Sequence, residues 1–278
     1  MDTEKTFERI QMHIRDKEYD RVRPMVDDIA ASADDIHTRL KCASLLKVVD
    51  DEEGCQKILD RITAMDAGDD VLTVAMSLRG LGRPEDAYSM IKDHEETDNV
   101  LYEKAGTLIL MDENEEALVK LRKIRSMRPE HMILLSETLC ALGEFKEAYD
   151  VSLKLVDDDS ASYSSLVNLC TTLMMSGKNK DAIRTARKYL KEGKDADSLA
   201  LAAYVMRING RMSAAAAYAH RSLAKDHMHK GALETMAFCL IEKSKFIEAK
   251  VFAGAINERS PGDPAVIRIL DACRIASK

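Results

Sequence analysis

The chain has 278 residues, of which 46% are hydrophobic, 5% aromatic and 32% charged, and its formal net charge is −7. The longest charge-free stretch, residues 160–177, contains Ser, Thr and Asn and is too polar to span a membrane. The charged N-terminus predicts no signal peptide. Six cysteines at no metal-ligand or redox spacing favour a reducing, cytoplasmic location.

Small side chains recur every 30 to 34 residues along the chain. This first column reads Val22, Cys55, Ala87, Ala117, Ala148, Ala182, Ala215 and Ala249. Twelve residues earlier lies a second column, which reads Ile10, Ala43, Ala75, Ala105, Ser136, Cys170, Ala203 and Ala237. Two helices approach closely only where both carry small side chains. A fixed period of this length therefore predicts a solenoid of helix hairpins.

A mostly apolar column and a turn column complete the pattern. Three residues after the second column, on the same helix face, come His13, Leu46, Leu78, Leu108, Leu139, Leu173, Met206 and Leu240. Five residues before the first column come Gly82, Gly143, Gly177 and Gly210, with Asp112 and Ser244 in place of glycine elsewhere. Glycine just past a helix end accepts positive φ, so these positions predict the turn inside each hairpin.

In chain order the pattern predicts eight hairpins in one continuous array. Their ranges are near 3–35, 36–67, 68–97, 98–128, 129–162, 163–195, 196–229 and 230–262, and a capping helix follows at 264–276. In the first hairpin, Pro24 requires the second helix to start near Asp20. This hairpin departs from the pattern, as expected of a terminal repeat that no neighbour covers on one side. Asp263-Pro264 begins the capping helix.

These columns resemble the tetratricopeptide repeat (TPR) family. The best match is Leu135-Ser136-x-x-Leu139-x-x-x-Gly143-Glu144-Phe145-x-x-Ala148, and Pro129 and Pro261 occupy the position of the family's closing proline. The resemblance covers residues 3–262, although the family's early aromatic residue is absent. It implies an all-α, right-handed α-solenoid whose first helices line a concave groove that holds an extended peptide or a helix.

The repeat register places a set of candidate partner-binding residues in that groove. They are Ile133, Leu134, Glu137, Asn168, Thr171, Met174, Leu201, Tyr204, Arg207, Thr235 and Phe238. Tyr204 and Arg207 lie one turn apart and are of the types that most often dominate binding energy. We expect Tyr204→Ala to weaken partner binding and to leave the stability of the fold nearly unchanged. The Lys and Arg positions that let some family members grip a C-terminal carboxylate are not matched.

Other chemistry is not indicated by the sequence. There is no nucleotide-binding or hydrolase motif, so we expect no catalysis and no cofactor. His227 and His229 are two residues apart and cannot share a helix face, which argues against a metal site. A basic run on one second helix, Arg184, Arg187, Lys188, Lys191 and Lys194, is interpreted as a solvated outer face, so nucleic acid is not the expected partner.

The function expected from these features is that of a scaffold or adaptor for protein–protein interaction. One alternative is a regulator that senses a peptide or a ligand. A second is a self-assembling subunit, because residues 1–139 hold 20 Lys and Arg against 31 Asp and Glu, whereas residues 140–278 hold 21 against 17. Such a charge asymmetry can orient a protein partner or pair two copies as a homodimer.

Overall fold

The computed structural model describes residues 3–16, 18–65, 67–157, 162–260 and 263–277. These residues form α-helices joined by short turns, and none of them lies in a β-strand. The chain divides into two compact units, one of Met1–Ile91 with Leu240–Lys278 and one of Lys92–Cys239. The predicted all-α class is therefore confirmed, and the single continuous array stays a prediction.

The helices follow one another in chain order with short connections. The first six are α1 (Thr3–Arg15), α2 (Val22–Ser32), α3 (Ile36–Val48), α4 (Glu52–Thr63), α5 (Val71–Gly80) and α6 (Pro84–Ile91). The next six are α7 (Asp98–Leu110), α8 (Asn114–Arg122), α9 (Pro129–Ala141), α10 (Phe145–Asp157), α11 (Tyr163–Met175) and α12 (Asn179–Glu192). The last five are α13 (Ala196–Ile208), α14 (Met212–Leu223), α15 (Lys230–Ile241), α16 (Phe246–Arg259) and α17 (Pro264–Ala276).

The two columns of small residues lie where paired helices cross. All sixteen residues of these columns are 0% exposed. The pairs from α1 with α2 to α13 with α14 pack directly against each other. Small side chains allow this close approach, so the hairpins form as the spacing predicts.

The turns inside the hairpins have the predicted left-handed backbone. The glycines of the turn column have φ between 71° and 87°, and Asp112 and Ser244 have φ of 63° and 57°. Asp50 takes the same conformation with φ of 67°, which the sequence analysis did not predict. In each of these turns, the backbone N–H of the residue after the positive-φ position donates a hydrogen bond to the carbonyl of a residue in the mostly apolar column. For example, the N–H of Glu144 donates to the carbonyl of Leu139 at 2.8 Å. This bond satisfies a carbonyl at the helix end.

The first hairpin differs in part from its prediction. A 3₁₀ turn at Tyr19–Arg21 precedes α2, so Pro24 lies in the first turn of that helix as expected. However, α1 packs against α16, and the Ser44 hydroxyl of α3 donates to Asn257 of α16 at 3.2 Å. The expectation that no neighbour covers one side of this hairpin is therefore wrong.

The capping helix α17 is confirmed, whereas one proline has a different role. The side chain of Asp263 accepts a hydrogen bond from the backbone N–H of Ala265, and the apolar residues of α17 face its neighbours. Those buried residues are Val266, Ile269, Leu270 and Cys273. Pro129 begins α9 and does not close α8, which ends at Arg122. Pro261 lies outside the described residues.

Within the part of the chain that the structure describes, no helix combines the length and apolar character needed to cross a bilayer. All six cysteines are free and buried. Burial raises the pKa of the thiols of Cys42, Cys55 and Cys170 to about 12. These side chains therefore act as small apolar residues.

We expect Ala148→Leu to lower the free energy of unfolding by about 1–3 kcal/mol, because the larger side chain overpacks a crossing point. Ala217→Leu is the matched control, since Ala217 is exposed on α14 and its replacement should change the free energy by less than about 0.5 kcal/mol. Urea denaturation followed by circular dichroism measures both. Equal stability of the two variants would refute the crossing-point role of Ala148.

We expect Cys42, Cys55 and Cys170 to resist alkylation in the native protein, because the raised pKa leaves almost no reactive thiolate. Iodoacetamide at mildly alkaline pH, followed by mass spectrometry of tryptic peptides, measures the modification of each cysteine. The same chain in denaturant is the control and should react at all six cysteines. Rapid native labelling of any of the three would contradict their burial.

Candidate functional site

First helices of consecutive repeats lie side by side in the second unit. Helix α7 packs against α9, α9 against α11, and α11 against α13. Side chains that do not enter the crossings with second helices share one face. We call this surface the first-helix face. Its partly or fully exposed residues are Ile133, Leu134, Glu137, Thr171, Met174, Tyr204, Arg207 and Phe238.

Four residues of the first-helix face form a connected cluster. The hydroxyls of Thr171 and Tyr204 lie 2.7 Å apart, which joins α11 to α13. One turn after Tyr204, the guanidinium carbon of Arg207 lies 5.5 Å from the centre of the Tyr204 ring. The same atom lies 4.5 Å from the centre of the Phe238 ring, on α15. Both distances allow cation–π attraction, so two rings hold the guanidinium in place.

The guanidinium of Arg207 lies against two aromatic rings. Its Nε is buried and has no hydrogen-bond partner among the described residues. Such a donor normally binds a carboxylate. Burial raises the pKa of Tyr204, and the charges of Glu137 and Glu234 add to this rise, against the Thr171 hydrogen bond and the charge of Arg207. The face therefore combines one ring-bound cation with two nearby carboxylates.

Three of the eleven predicted groove residues are buried between helices. Asn168, Leu201 and Thr235 are 2%, 0% and 1% exposed. Their side chains are therefore not available to a partner, because each packs inside the unit. The other eight are the residues of the first-helix face, and their role in binding stays a prediction.

Asn168 belongs to a buried polar network. Its Oδ1 lies 2.9 Å from the Ser136 hydroxyl of α9 and 2.7 Å from the Ser152 hydroxyl of α10, and both can donate to it. Ser152 also lies 3.0 Å from the Thr172 hydroxyl. The Nδ2 of Asn168 donates to the Ile133 carbonyl at 3.4 Å. A fully bonded network of this kind fixes how neighbouring helices fit together, so Asn168 has a structural role.

Tyr204 is more deeply packed than the sequence analysis expected. Its ring contacts the apolar core that includes Leu169, Leu173 and Val205, in addition to the Thr171 hydroxyl. Truncation to alanine would remove these contacts and leave a cavity. The packing therefore predicts that Tyr204→Ala lowers stability, in contrast to the expectation from the sequence, and Arg207 is the better position for a binding test.

Comparison with solved structures identifies the fold. No protein-family model matches the chain, and no curated protein matches it in sequence. The structure is similar to a tetratricopeptide repeat protein from Parabacteroides merdae, with a TM-score of 0.51 and 12% identity over 86% of this chain and 98% of that one. The fold is that of the TPR family.

Two further TPR-like similarities are weaker. Pseudomonas aeruginosa PilF has a TM-score of 0.44 and 14% identity, over 76% of this chain and 98% of its own. YrrB, described as a TPR protein with an unusual peptide-binding site, has a TM-score of 0.34 and 15% identity, over 65% of this chain and 95% of its own. Neither is close enough to carry an inference about this chain.

His229, one of the two histidines weighed as metal ligands from the sequence, lies in the interior of the second unit. His229 is 8% exposed, and its Nε2 lies 2.8 Å from Asp197 Oδ1 of α13. Its ring meets the Tyr163 ring edge-on, with centres 4.9 Å apart. In the described ranges, no three His, Cys, Asp or Glu side chains come together to hold a metal ion. The sequence could have suggested this contact only through the 32-residue spacing of Asp197 and His229, which is close to one repeat.

We expect Asn168→Ala to lower the free energy of unfolding by about 2–3 kcal/mol, because it leaves a cavity and removes buried hydrogen bonds. Met175→Ala on the same helix is the control, since Met175 is 49% exposed and its loss should cost less than about 0.5 kcal/mol. Chemical denaturation of both variants provides the measurement. A stability loss in Asn168→Ala no larger than in the control would contradict the structural role.

Proposed function

We propose that this chain is a scaffold for protein–protein interaction that binds a segment of a partner protein on the first-helix face and catalyses no reaction. The TPR fold, which in general serves protein interaction, supports this proposal. The observation that carries it is Arg207, a partly exposed cation held between the rings of Tyr204 and Phe238.

Arg207 is suited to a carboxylate supplied by the partner. Arginine and tyrosine are enriched among the residues that dominate binding energy. Because two rings already restrain the Arg207 side chain, it loses little further conformational freedom on binding. A charge-assisted hydrogen bond from the guanidinium to a carboxylate would be about twice as strong as a neutral one.

The other residues of the first-helix face define the rest of the partner segment. Ile133 and Leu134 are half-buried apolar side chains, and Met174 is a flexible one that fits varied shapes. Glu137 and Glu234 repel a second acidic group close to the first. We therefore propose a segment with one acidic residue among apolar and uncharged or basic residues. A cytoplasmic location remains part of this proposal.

We expect Arg207→Gln to weaken binding of partner peptides at least about tenfold, since it removes the cation and keeps most of the side-chain length. Peptides selected by display on the wild-type chain, with affinities measured by calorimetry, provide the test. The selected sequences should share an acidic position. Thermal unfolding of the variant separates loss of binding from loss of structure.

Arg221→Gln is the matched control for this experiment. Arg221 follows Tyr218 by three residues on α14, and its guanidinium carbon lies 5.7 Å from the Tyr218 ring, as in the Tyr204–Arg207 pair. It lies on a second helix, so its replacement should leave peptide affinity unchanged. The proposal fails if the two variants bind equally well, or if the selected peptides lack an acidic position.

A further inference from the structure

The first unit contains a cavity of about 230 Å³ where α1, α3 and α16 meet. Its walls are mainly apolar, and the apolar side chains are Ile14, Leu45, Val48, Val251 and Ala255. Val251 is 42% exposed, so the cavity opens to solvent at α16. This cavity belongs to the first unit, whereas the first-helix face belongs to the second.

Gly254 provides part of the space in this cavity. It lies inside α16, where glycine is destabilising relative to alanine. A Cβ atom at this position would have only the Cγ2 atom of Ile14 within 4 Å, at 4.0 Å. Close packing therefore does not require glycine here. The missing side chain instead leaves room beside Ile14 in the cavity wall.

Charges at the rim of the cavity already have partners. Arg15 of α1 lies 3.6 Å from Glu258 of α16, and Lys250 of α16 lies 3.0 Å from Asp50 after α3. A charged ligand would have to break one of these pairs or remain uncompensated. Gln11 and Tyr19 also line the cavity and can form a hydrogen bond with a neutral polar group.

We propose that this cavity is a binding site for a small, uncharged, mainly apolar molecule with one or two rings and one polar group. The volume supports this class, because an engineered apolar cavity of about 150 Å³ in another protein binds benzene. A cavity of about 230 Å³ has room for a bicyclic ring such as indole.

A ligand in this cavity also stabilises the packing of α16 against α1 and α3, which lie far from it in the sequence. The walls combine α1 and α3 with α16, and the bond from Ser44 to Asn257 beside the cavity spans 213 residues. A ligand that touches all three helices binds the packed arrangement better than one in which α16 has moved away. By linkage, it stabilises that arrangement.

Indole is the probe that tests the proposal. The chain contains no tryptophan, so indole fluorescence can be excited selectively and followed without a protein background. We expect a saturable shift of the emission to shorter wavelength and a rise in Tm with indole concentration. Indole-3-acetate, which carries a carboxylate, should bind at least about tenfold more weakly because the rim cations are paired. Absence of saturation, or tighter binding of the acid, would overturn the proposal.

Substitutions at Gly254 locate the binding. Gly254→Leu fills the cavity and should weaken indole binding at least about tenfold, with the native circular dichroism retained. Gly254→Ala is the control and should keep affinity within about threefold, since its Cβ meets only ordinary contact at 4.0 Å. If Gly254→Leu does not fold, Ile14→Phe fills the same space from α1. Wild-type affinity in the folded cavity-filling variant would refute the site.

Peptide binding at the first-helix face and indole binding in the cavity can be tested independently. Because Arg207 lies in the second unit, the Arg207→Gln variant should bind indole as the wild-type chain does. Gly254→Leu should bind the selected peptides with unchanged affinity. Loss of indole binding in Arg207→Gln would also overturn the assignment of indole to this cavity.

Discussion

Close approach of two helices at points of small side-chain volume is the constraint on which this structure depends. Residues of both small columns are fully buried, and most are Ala, Ser or Cys. Helices that nest so closely require a short turn, and a short turn requires a residue with positive φ, as at Gly143 and Asp112. The following N–H then bonds back to the helix end. Side-chain volume thus determines the turn as well as the packing.

Polar bonds between repeats add a different kind of restraint. Apolar surfaces of similar shape can slide past one another at small cost, whereas buried hydrogen-bonding groups cannot lose their partners cheaply. Asn168 connects neighbouring repeats in this way through Ser136 and Ser152, and His229 with Asp197 joins the two ends of one repeat. The Thr171–Tyr204 bond extends the same restraint to the first-helix face, which therefore presents Arg207 on a rigid row of helices.

The sequence predicted what recurs and missed what occurs once. Small columns, turn residues and helix ranges were visible because the pattern repeats eight times. The burial of Asn168, Leu201 and Thr235 depends on the particular neighbours of each residue, which periodicity does not specify. The packing of α1 and α3 on α16 joins residues more than 200 positions apart, as in the 213-residue spacing of Ser44 on α3 and Asn257 on α16. No local pattern encodes such a contact.

Glycine inside a helix has two physical explanations, and the surrounding atoms distinguish them. A Cβ at Gly231 would collide with the ring of Tyr163, so glycine there permits close packing. A Cβ at Gly254 would meet one atom at ordinary contact distance. In the interior of α16, glycine at position 254 costs roughly 1 kcal/mol relative to alanine. At Gly231, the second residue of α15, the packing of the aromatic ring accounts for the glycine. No packed neighbour does so at Gly254, and the space beside it is the one structural consequence left to explain its presence.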